Sequence, residues 1–332
     1  MLCAAATLAV CALPCLAQSY RYARVGKPDN VTVTPRPGFA LMGGGSDLDE
    51  AFKWLCERGA GGDLVVLRSH GSNDYNPYIA KLCKMNSVAT LVIGSRTAAE
   101  DPFVASTIAH ASAIFIAGGD QGEYTTFWMR TPVQTELNAA LKRGVPIGGT
   151  SAGLAVLGQF IYTSLGDKPD DPNLDGKTAM ADPYGPRIDL DRDFLDIPIL
   201  KNVITDTHFA KRDRMGRLLT FLARLNEPDG KPLPADAAHV RGIGVEERAA
   251  VLLEPDGEAR VIGRGGAYFV DAAQASGTVE KATALTFGPY EVQKVAPGHT
   301  FNVKTWSGDA THYTLTVEAG TIRSTQQGGK VY

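Results

Sequence analysis

The sequence predicts an α/β fold with a mostly parallel central sheet that is covered by helices on both faces. Short, continuous apolar segments alternate with segments of helical pattern, which is typical of buried parallel strands joined by helices. Residues that can do chemistry follow several of these apolar segments, where the carboxyl ends of parallel strands meet. With 332 residues, of which 44% are hydrophobic, the chain can bury the core of one large domain.

The predicted elements alternate through the first third of the chain. Apolar runs predict strands at Gly38–Met42, Leu64–Leu67, Ala89–Ile93 and Ala113–Ile116. Segments of helical pattern predict helices at Ser46–Arg58, with Ser46 as N-cap, at Tyr78–Lys84 and at Ala99–Ala111. This alternation indicates a three-layer sandwich.

Two later segments are rich in strand signals. Arg260–Asp271 predicts a hairpin at the sheet edge, and Thr283–Tyr332 alternates apolar and polar residues. We therefore predict a signal peptide at 1–17, a main domain at 18–282 and a β-rich C-terminal extension at 283–332.

The N-terminal segment resembles a secretory signal. Met1–Ala17 is apolar and ends at a small-x-small site, and polar residues follow from Gln18. The usual basic region before the apolar core is missing, and a short buried helix is the competing interpretation. We expect export to the periplasm or the medium after removal of the signal.

Composition and cysteine content exclude several classes of function. The formal net charge is −3, from 33 basic and 36 acidic residues, so no general attraction to nucleic acid or anionic membrane is expected. Cys56 and Cys83 lie in helical patterns and are predicted to be buried free thiols, although export would permit a disulfide. No spacing of Cys and His suggests a metal, and the Gly43–Gly45 turn lacks the residues that complete a nucleotide-binding motif, so no cofactor is expected.

A Gly-x-Ser-x-Gly motif singles out one serine. Ser151 lies between Gly149 and Gly153, after an apolar strand-like run and before helix-compatible residues. A nucleophile on such a sharp turn needs small residues two positions to either side, and the following amide, of Ala152, is then placed to stabilise an oxyanion. A glycine-rich turn with a capping serine is the alternative interpretation.

A histidine is available as the base. The chain holds six histidines, and His208 follows the strand-like run that ends at Asp206. A histidine at the carboxyl end of a strand downstream of a serine turn is well placed to act as a general base, although a lone histidine in a strand is more often structural.

Three segments together resemble cyanophycinase and its relatives in peptidase family S51, the serine peptidases that also include aspartyl dipeptidase. They are Ala117–Gln121, Gly149–Gly153 and Asp206–Arg217, and the resemblance runs from about Gly38 to about Asp271. One departure is Thr207, where cyanophycinases usually have Gln. The resemblance implies a fold like that of class I glutamine amidotransferases.

The resemblance also implies a role for each matching residue. Ser151 is similar to the nucleophile and His208 to the base, and the amides of Gly119 and Ala152 match the oxyanion hole. The residues that match the substrate pocket are Gln121, Asp206, Arg212, Arg214 and Arg217. The arginines are equally suited to bind a substrate carboxylate bidentately or to pair with acidic neighbours such as Asp206 and Asp213.

The triad acid is expected soon after the serine, as in the family. Asp167 is the first choice and Asp170 the second, and both lie in an acid-rich segment that reads as a long surface loop. An acid is required because the neutral imidazole must be held in one tautomer and its cation stabilised.

The expected function is that of an exported serine-type exopeptidase that cleaves β-aspartyl bonds in peptides containing aspartyl residues, such as β-Asp-Arg. A homodimer is compatible with this prediction. Two alternatives stay open, an esterase of the α/β-hydrolase type and a secreted binding protein that has kept a degraded enzyme fold.

Overall fold

The computed structural model describes residues 19–167, 173–231 and 238–332. The predicted signal peptide and Asp170 lie outside the described residues, so both stay predictions. Among the helices of the described segments, none has the length and apolar character needed to cross a bilayer.

The described chain forms strands and short helices. The strands are β1 Arg21–Gly26, β2 Phe39–Met42, β3 Asp63–Arg68, β4 Ser87–Val92, β5 Ala113–Ile116, β6 Ile147–Thr150, β7 Phe160–Tyr162, β8 Leu190–Arg192, β9 Val203–Asp206, β10 Arg241–Val245, β11 Ala249–Leu253, β12 Glu258–Gly263, β13 Ala267–Asp271, β14 Ser276–Thr278, β15 Thr286–Val295, β16 Thr300–Asn302, β17 Ser307–Gly308, β18 Thr311–Glu318 and β19 Thr321–Ser324. The helices are α1 Asp49–Arg58, α2 Tyr75–Leu82, α3 Arg96–Ala99, α4 Pro102–Ala109, α5 Gln121–Trp128, α6 Pro132–Lys142, α7 Ala152–Ala155, α8 Gly176–Ala181 and α9 Met215–Asn226.

The strands pair into two sheets. The first has the order β1-β4-β3-β5-β6-β2-β11-β12-β16-β17, and its five central strands from β4 to β2 are parallel. The second has the order β19-β18-β15-β13-β10-β9-β7-β8, in which β10, β9 and β7 are parallel. The parallel strands of the first sheet are buried on both faces, which explains their continuous apolar sequences.

Three hydrophobic clusters hold these layers together. One lies between the first sheet and helices α1 and α2, with Phe52 and Leu55 at its centre. A second fills the other face of the first sheet and includes Ile243 and Phe269 from the second sheet, so the two sheets share a core. The third packs α9 against the outer face of the second sheet. The predicted α/β fold with parallel central strands is confirmed, whereas the likeness to class I glutamine amidotransferases stays a prediction.

The predicted strands in the first third are all present, and the helices differ mainly at their ends. Helix α1 begins at Asp49, so Ser46 is not its N-cap. The helix predicted at 99–111 divides into α3 and α4, because Pro102 opens a new helix and the side chain of Asp101 accepts a hydrogen bond from the amide of Phe103.

The hairpin predicted at Arg260–Asp271 is wrong. Strand β12 pairs with β11 and β16 in the first sheet, while β13 pairs with β10 and β15 in the second. The segment between these strands therefore crosses from one sheet to the other. The β-rich segment after residue 283 extends both sheets, through β15 in one and β16 in the other.

The prediction of two free thiols is also wrong. Cys56 in α1 and Cys83 directly after α2 form a disulfide with a Cα–Cα distance of 6.1 Å. Helices α1 and α2 contact each other on the same face of the first sheet, which brings the two cysteines together across 27 positions of sequence.

Candidate active site

Ser151 lies on a sharp turn between strand β6 and helix α7. Its backbone angles are φ 52° and ψ −119°, a conformation that non-glycine residues rarely adopt. A Cβ on Gly149 would lie 2.3 Å from the carbonyl oxygen of Gly153, and one on Gly153 would lie 2.0 Å from that of Ile116. The glycines are therefore required by close contacts between backbones, as the motif predicts.

His208 lies directly against the serine. Its Nε2 is 2.7 Å from Ser151 Oγ, and its side chain is only 8% exposed. The amide of His208 donates to the carbonyl oxygen of Gly43 over 2.7 Å. A Cβ on Gly44 would lie 2.5 Å from Cε1 of the imidazole, so the glycine turn after β2 makes room for the base.

The carboxylate that orients His208 belongs to Glu247. Its Oε1 lies 2.7 Å from Nδ1 of the imidazole. Glu247 follows β10, which runs parallel to β9, so both strands end at the same edge of the second sheet. The sequence does carry a signal for this residue, because Glu246 and Glu247 directly follow the apolar strand that ends at Val245.

The prediction of Asp167 as the triad acid is corrected by this geometry. Asp167 Oδ1 accepts hydrogen bonds from Nη2 and Nε of Arg187, at 2.9 and 3.0 Å. Both side chains are largely buried, with exposed fractions of 8% and 12%. The carboxylate of Asp167 is thus committed to a buried ion pair, while Glu247 holds the position beside His208.

The hydrogen bonds define how the imidazole can react. Because Glu247 accepts a hydrogen bond from Nδ1–H, the lone pair of Nε2 is directed at the hydroxyl of Ser151. Burial lowers the pKa of His208 below its ordinary value and the charges of Arg212 and Arg214 lower it further, whereas the hydrogen bond that the imidazole donates to Glu247 raises it. The hydrogen bond to His208 lowers the pKa of Glu247, which is therefore ionised at neutral pH.

The predicted oxyanion-hole residues lie next to the serine turn. Gly119 precedes α5, Ala152 begins α7, and a Cβ on Gly118 would be 3.4 Å from the Cβ of Ser151. The first amides of a helix have no partner within the helix, so Ala152 can donate toward the serine. Gln121 is half-buried at the start of α5 on the same side. The roles of these residues stay predictions.

His70, which belongs to none of the motifs in the sequence, also borders the site. It follows β3, and its Nδ1 lies 2.8 Å from Oε2 of Glu123. A Cβ on Gly119 would be 3.4 Å from Cε1 of His70, so this second imidazole flanks the predicted oxyanion hole.

The matched arginines divide into buried and exposed positions. Arg217 holds both carboxylate oxygens of Asp206, and each residue is only 2% exposed. Arg214, 6% exposed, donates from Nη1 to the carbonyl and hydroxyl oxygens of Thr207, each over 3.0 Å. Arg212 is exposed.

This arrangement corrects the expectation that Asp206 and Arg217 line the substrate pocket. Their charged groups are buried and bonded to each other, so they support the segment that carries His208. Thr207 is 3% exposed and its hydroxyl binds Arg214, so it does not face the cleft in place of the usual Gln.

The buried cluster carries more positive than negative charge. Arg214 lies 3.7 Å from the carboxylate that Arg217 already holds. Burial and the charge of Arg217 lower the pKa of Arg214 to about 9, so it remains a cation at neutral pH. Two buried guanidinium groups share the one carboxylate of Asp206. The positive charge that this carboxylate leaves unbalanced favours the binding of an anionic group near this edge of the sheet. Across the described ranges, no three His, Cys, Asp or Glu side chains are grouped as ligands for a metal ion.

Replacing Glu247 should slow the reaction of Ser151 with a fluorophosphonate probe. We expect Glu247→Gln to reduce the labelling rate by roughly a hundredfold or more, because the imidazole loses its orienting carboxylate. Asp167→Asn is the matched comparison, and it should label at close to the unsubstituted rate once its folded fraction is confirmed by circular dichroism. The opposite ranking of the two variants would return Asp167 to the triad.

The pH dependence of labelling should report the lowered pKa of His208. The base must be neutral, so the rate should fall as pH decreases through this pKa, at a pH below the ordinary value for histidine. Glu247 raises that pKa through its hydrogen bond, so Glu247→Gln should move the acid limb to still lower pH. An acid limb that stays in place in this variant would contradict the pairing.

Comparisons with known proteins find similarity to one peptidase family. Residues 70–230 match the model described as peptidase family S51, a range that includes Ser151 and His208 and ends before Glu247. The cyanophycinase of Synechococcus elongatus is 28% identical over 228 residues, which cover 67% of this chain and 62% of that protein. The cyanophycinase of Geminocystis herdmanii is 27% identical over 262 residues, which cover 76% of this chain and 86% of that protein.

A solved structure shares the fold. The peptidase from an acI-B1 Actinobacterium superposes with a TM-score of 0.52 at 17% identity, covering 81% of this chain and 98% of that one. The matched region spans less than two thirds of the length of the Synechococcus cyanophycinase. The family match, the cyanophycinase relatives and the shared fold together confirm the resemblance seen in the sequence: the chain is similar to the cyanophycinase-like peptidases of family S51.

Proposed function

We propose that this protein is a serine peptidase that hydrolyses β-aspartyl bonds in cyanophycin-like peptides. The observation that carries the proposal is the continuous chain of hydrogen bonds from Ser151 through His208 to Glu247, with 2.7 Å at each step. A serine hydroxyl is a weak nucleophile until a positioned base removes its proton, and this arrangement supplies the base and its orienting acid.

In the proposed reaction, His208 Nε2 takes the proton of Ser151 Oγ as the oxygen attacks the amide carbonyl carbon. The carbonyl oxygen becomes an oxyanion, which the amides of Gly119 and Ala152 stabilise. The imidazolium, stabilised by Glu247, then gives its proton to the leaving nitrogen, and the C–N bond breaks. Water attacks the acyl-enzyme with His208 again as base, which releases the acid product and restores Ser151.

The charge around the cleft supports an acidic substrate. A β-aspartyl residue keeps its α-carboxylate close to the bond that is cleaved. Arg212 is exposed, and it lies close enough to both His208 and Glu247 to lower the pKa of each. We propose that Arg212 binds the substrate carboxylate and that the positive charge of Arg214 attracts it. Gln121 lies on the other side of the serine, at the start of α5.

The triad geometry alone would serve an ester as well as an amide. The excess positive charge beside His208 is the feature that favours an aspartyl substrate over a neutral ester. The complete hydrogen-bond chain supports an active enzyme over a degraded binding protein, and a failure of Ser151 to label with the probe would reverse that preference.

Kinetics on matched substrates test the proposed activity. We expect hydrolysis of β-Asp-Arg and β-Asp-Lys dipeptides, with much lower kcat/KM for α-Asp-Arg and for a neutral ester. Ser151→Ala and His208→Ala should each reduce kcat by at least about a thousandfold, and the double variant should be little worse, because the triad acts as a unit. Losses that multiply in the double variant would contradict this mechanism.

The carboxylate contact predicts a separate effect on binding. Arg212→Gln should raise KM for β-Asp-Arg by roughly tenfold or more with little change in kcat, since one charge-assisted hydrogen bond is lost. Lys211→Gln, which removes the adjacent exposed charge, is the matched control. Equal effects of the two substitutions would mean that only general electrostatics is involved.

We also propose that the protein is exported. The apolar Met1–Ala17 segment with its small-residue site supports this, and so does the Cys56–Cys83 disulfide, because disulfides persist mainly in oxidising compartments.

Protein recovered from the periplasm or medium should begin near Gln18. Its digest under non-reducing conditions should yield one peptide pair joined through Cys56 and Cys83. A soluble cytoplasmic product that retains Met1 and has both thiols reduced would refute export.

A further inference from the structure

The last residues of the chain fold back onto the segments that carry the catalytic base and acid. The ring of Tyr332 packs edge-on against Phe209 and Tyr268, with centroid distances of 6.0 and 5.9 Å. Phe209 and Tyr268 are themselves fully buried and lie 5.3 Å apart. The three rings form one aromatic cluster. Each ring stabilises the fold through the apolar area that it buries, and the edge-to-face contacts of Tyr332 add a modest further stabilisation.

One member of this cluster adjoins the base in sequence, and another binds the residue that precedes the acid. Phe209 follows His208, and its ring lies on Gly244, where a Cβ would be 2.6 Å away. The hydroxyl of Tyr268 donates to Glu246 Oε1 over 2.6 Å, beside Glu247. The cluster therefore joins the segment that carries the base to the one that carries the acid.

The hydroxyl of Tyr332 makes a second connection. It accepts a hydrogen bond from the amide of Met215 over 2.8 Å and donates one to Asp213 Oδ1 over 3.0 Å. Met215 is the first residue of α9, so Tyr332 satisfies a helix amide that has no partner within the helix. Burial raises the pKa of this hydroxyl well above its ordinary value, so it stays protonated as a donor.

The tail itself is anchored by hydrogen bonds from other parts of the second sheet. Tyr313 Oη donates to the carbonyl oxygen of Val331 over 2.8 Å, and Ser324 Oγ donates to that of Lys330 over 2.6 Å. Gln326 Nε2 also donates to Lys330, over 3.0 Å. These hydrogen bonds to Lys330 and Val331 hold the backbone that positions Tyr332.

We propose that Tyr332 is a positioning residue for the active site, which holds His208 and the arginine segment 212–217 in place through its ring and its hydroxyl. The proposal rests on the proposed function for its kinetic consequence. The ring acts on the base through Phe209, and the hydroxyl acts on the arginines through the start of α9. Loss of the ring should therefore affect reaction of the serine, and loss of the hydroxyl should affect mainly substrate binding.

The experiment compares Tyr332→Ala, Tyr332→Phe and Tyr184→Phe. Tyr184 is the matched control because its buried hydroxyl has no hydrogen-bond partner in the part of the chain that the structure describes. For each variant we would measure the fluorophosphonate labelling rate, kcat and KM for β-Asp-Arg, the melting temperature, and the pKa of His208 by NMR titration, which needs no turnover.

Tyr332→Ala should slow labelling by roughly tenfold or more. It should also move the pKa of His208 up toward its ordinary value. Burial lowers this pKa in the unsubstituted protein, and the substitution lets water reach the imidazole. Tyr332→Phe keeps the ring, so it should raise KM by roughly fivefold, the scale of one hydrogen bond, and leave labelling nearly unchanged.

The proposal is overturned if both Tyr332 variants match Tyr184→Phe in labelling rate, KM and the pKa of His208. A lower melting temperature with those three quantities unchanged would likewise overturn it, since that is the signature of a purely structural residue. If the protein labels with the probe but does not cleave β-aspartyl peptides, the proposed function fails while labelling and NMR still decide the role of Tyr332.

Discussion

The hydrogen bond between Ser151 and His208 joins two different sheets. The serine follows β6 of the first sheet, and the histidine follows β9 of the second. A separation of 2.7 Å leaves little freedom, so the position of one sheet relative to the other must be set accurately. The core that both sheets share, with side chains such as Val251 from one and Phe269 from the other, provides that constraint because close-packed interiors resist displacement.

The buried ions beneath the site follow from the same requirement. The pair of Asp206 and Arg217 is almost inaccessible to water, and burying such charges costs desolvation energy that apolar side chains would not. The directional hydrogen bonds of Arg217 and Arg214 nevertheless hold the main chain around Thr207 in one arrangement, directly before His208. The charge of Arg214 then contributes to the lowered pKa of His208.

Segments distant in sequence converge at this edge of the molecule. The turn at Gly43–Gly45 makes room for the imidazole of His208, and Glu247 orients it. Tyr332 packs against Phe209, the residue after His208. The family match spans residues 70–230 and therefore omits all three of these contributions. The β-rich C-terminal segment is accordingly part of the frame of the site, because its strands extend both sheets and its last residues contact the base-bearing segment.

The sequence by itself determined the local features, namely the strands of continuous apolar residues, the serine turn with its two glycines, and the histidine after a strand. Each depends on sterics or burial within a few residues, so a short segment specifies it. Tertiary structure decided which carboxylate lies beside His208, the disulfide and the partners of β12 and β13. Asp167 is nearer to Ser151 in the chain, but the parallel pairing of β9 with β10 carries Glu247 to His208 across 39 positions. Helix packing likewise joined Cys56 to Cys83, and a strand crossing replaced a hairpin, because such contacts depend on how whole layers pack and not on any local pattern.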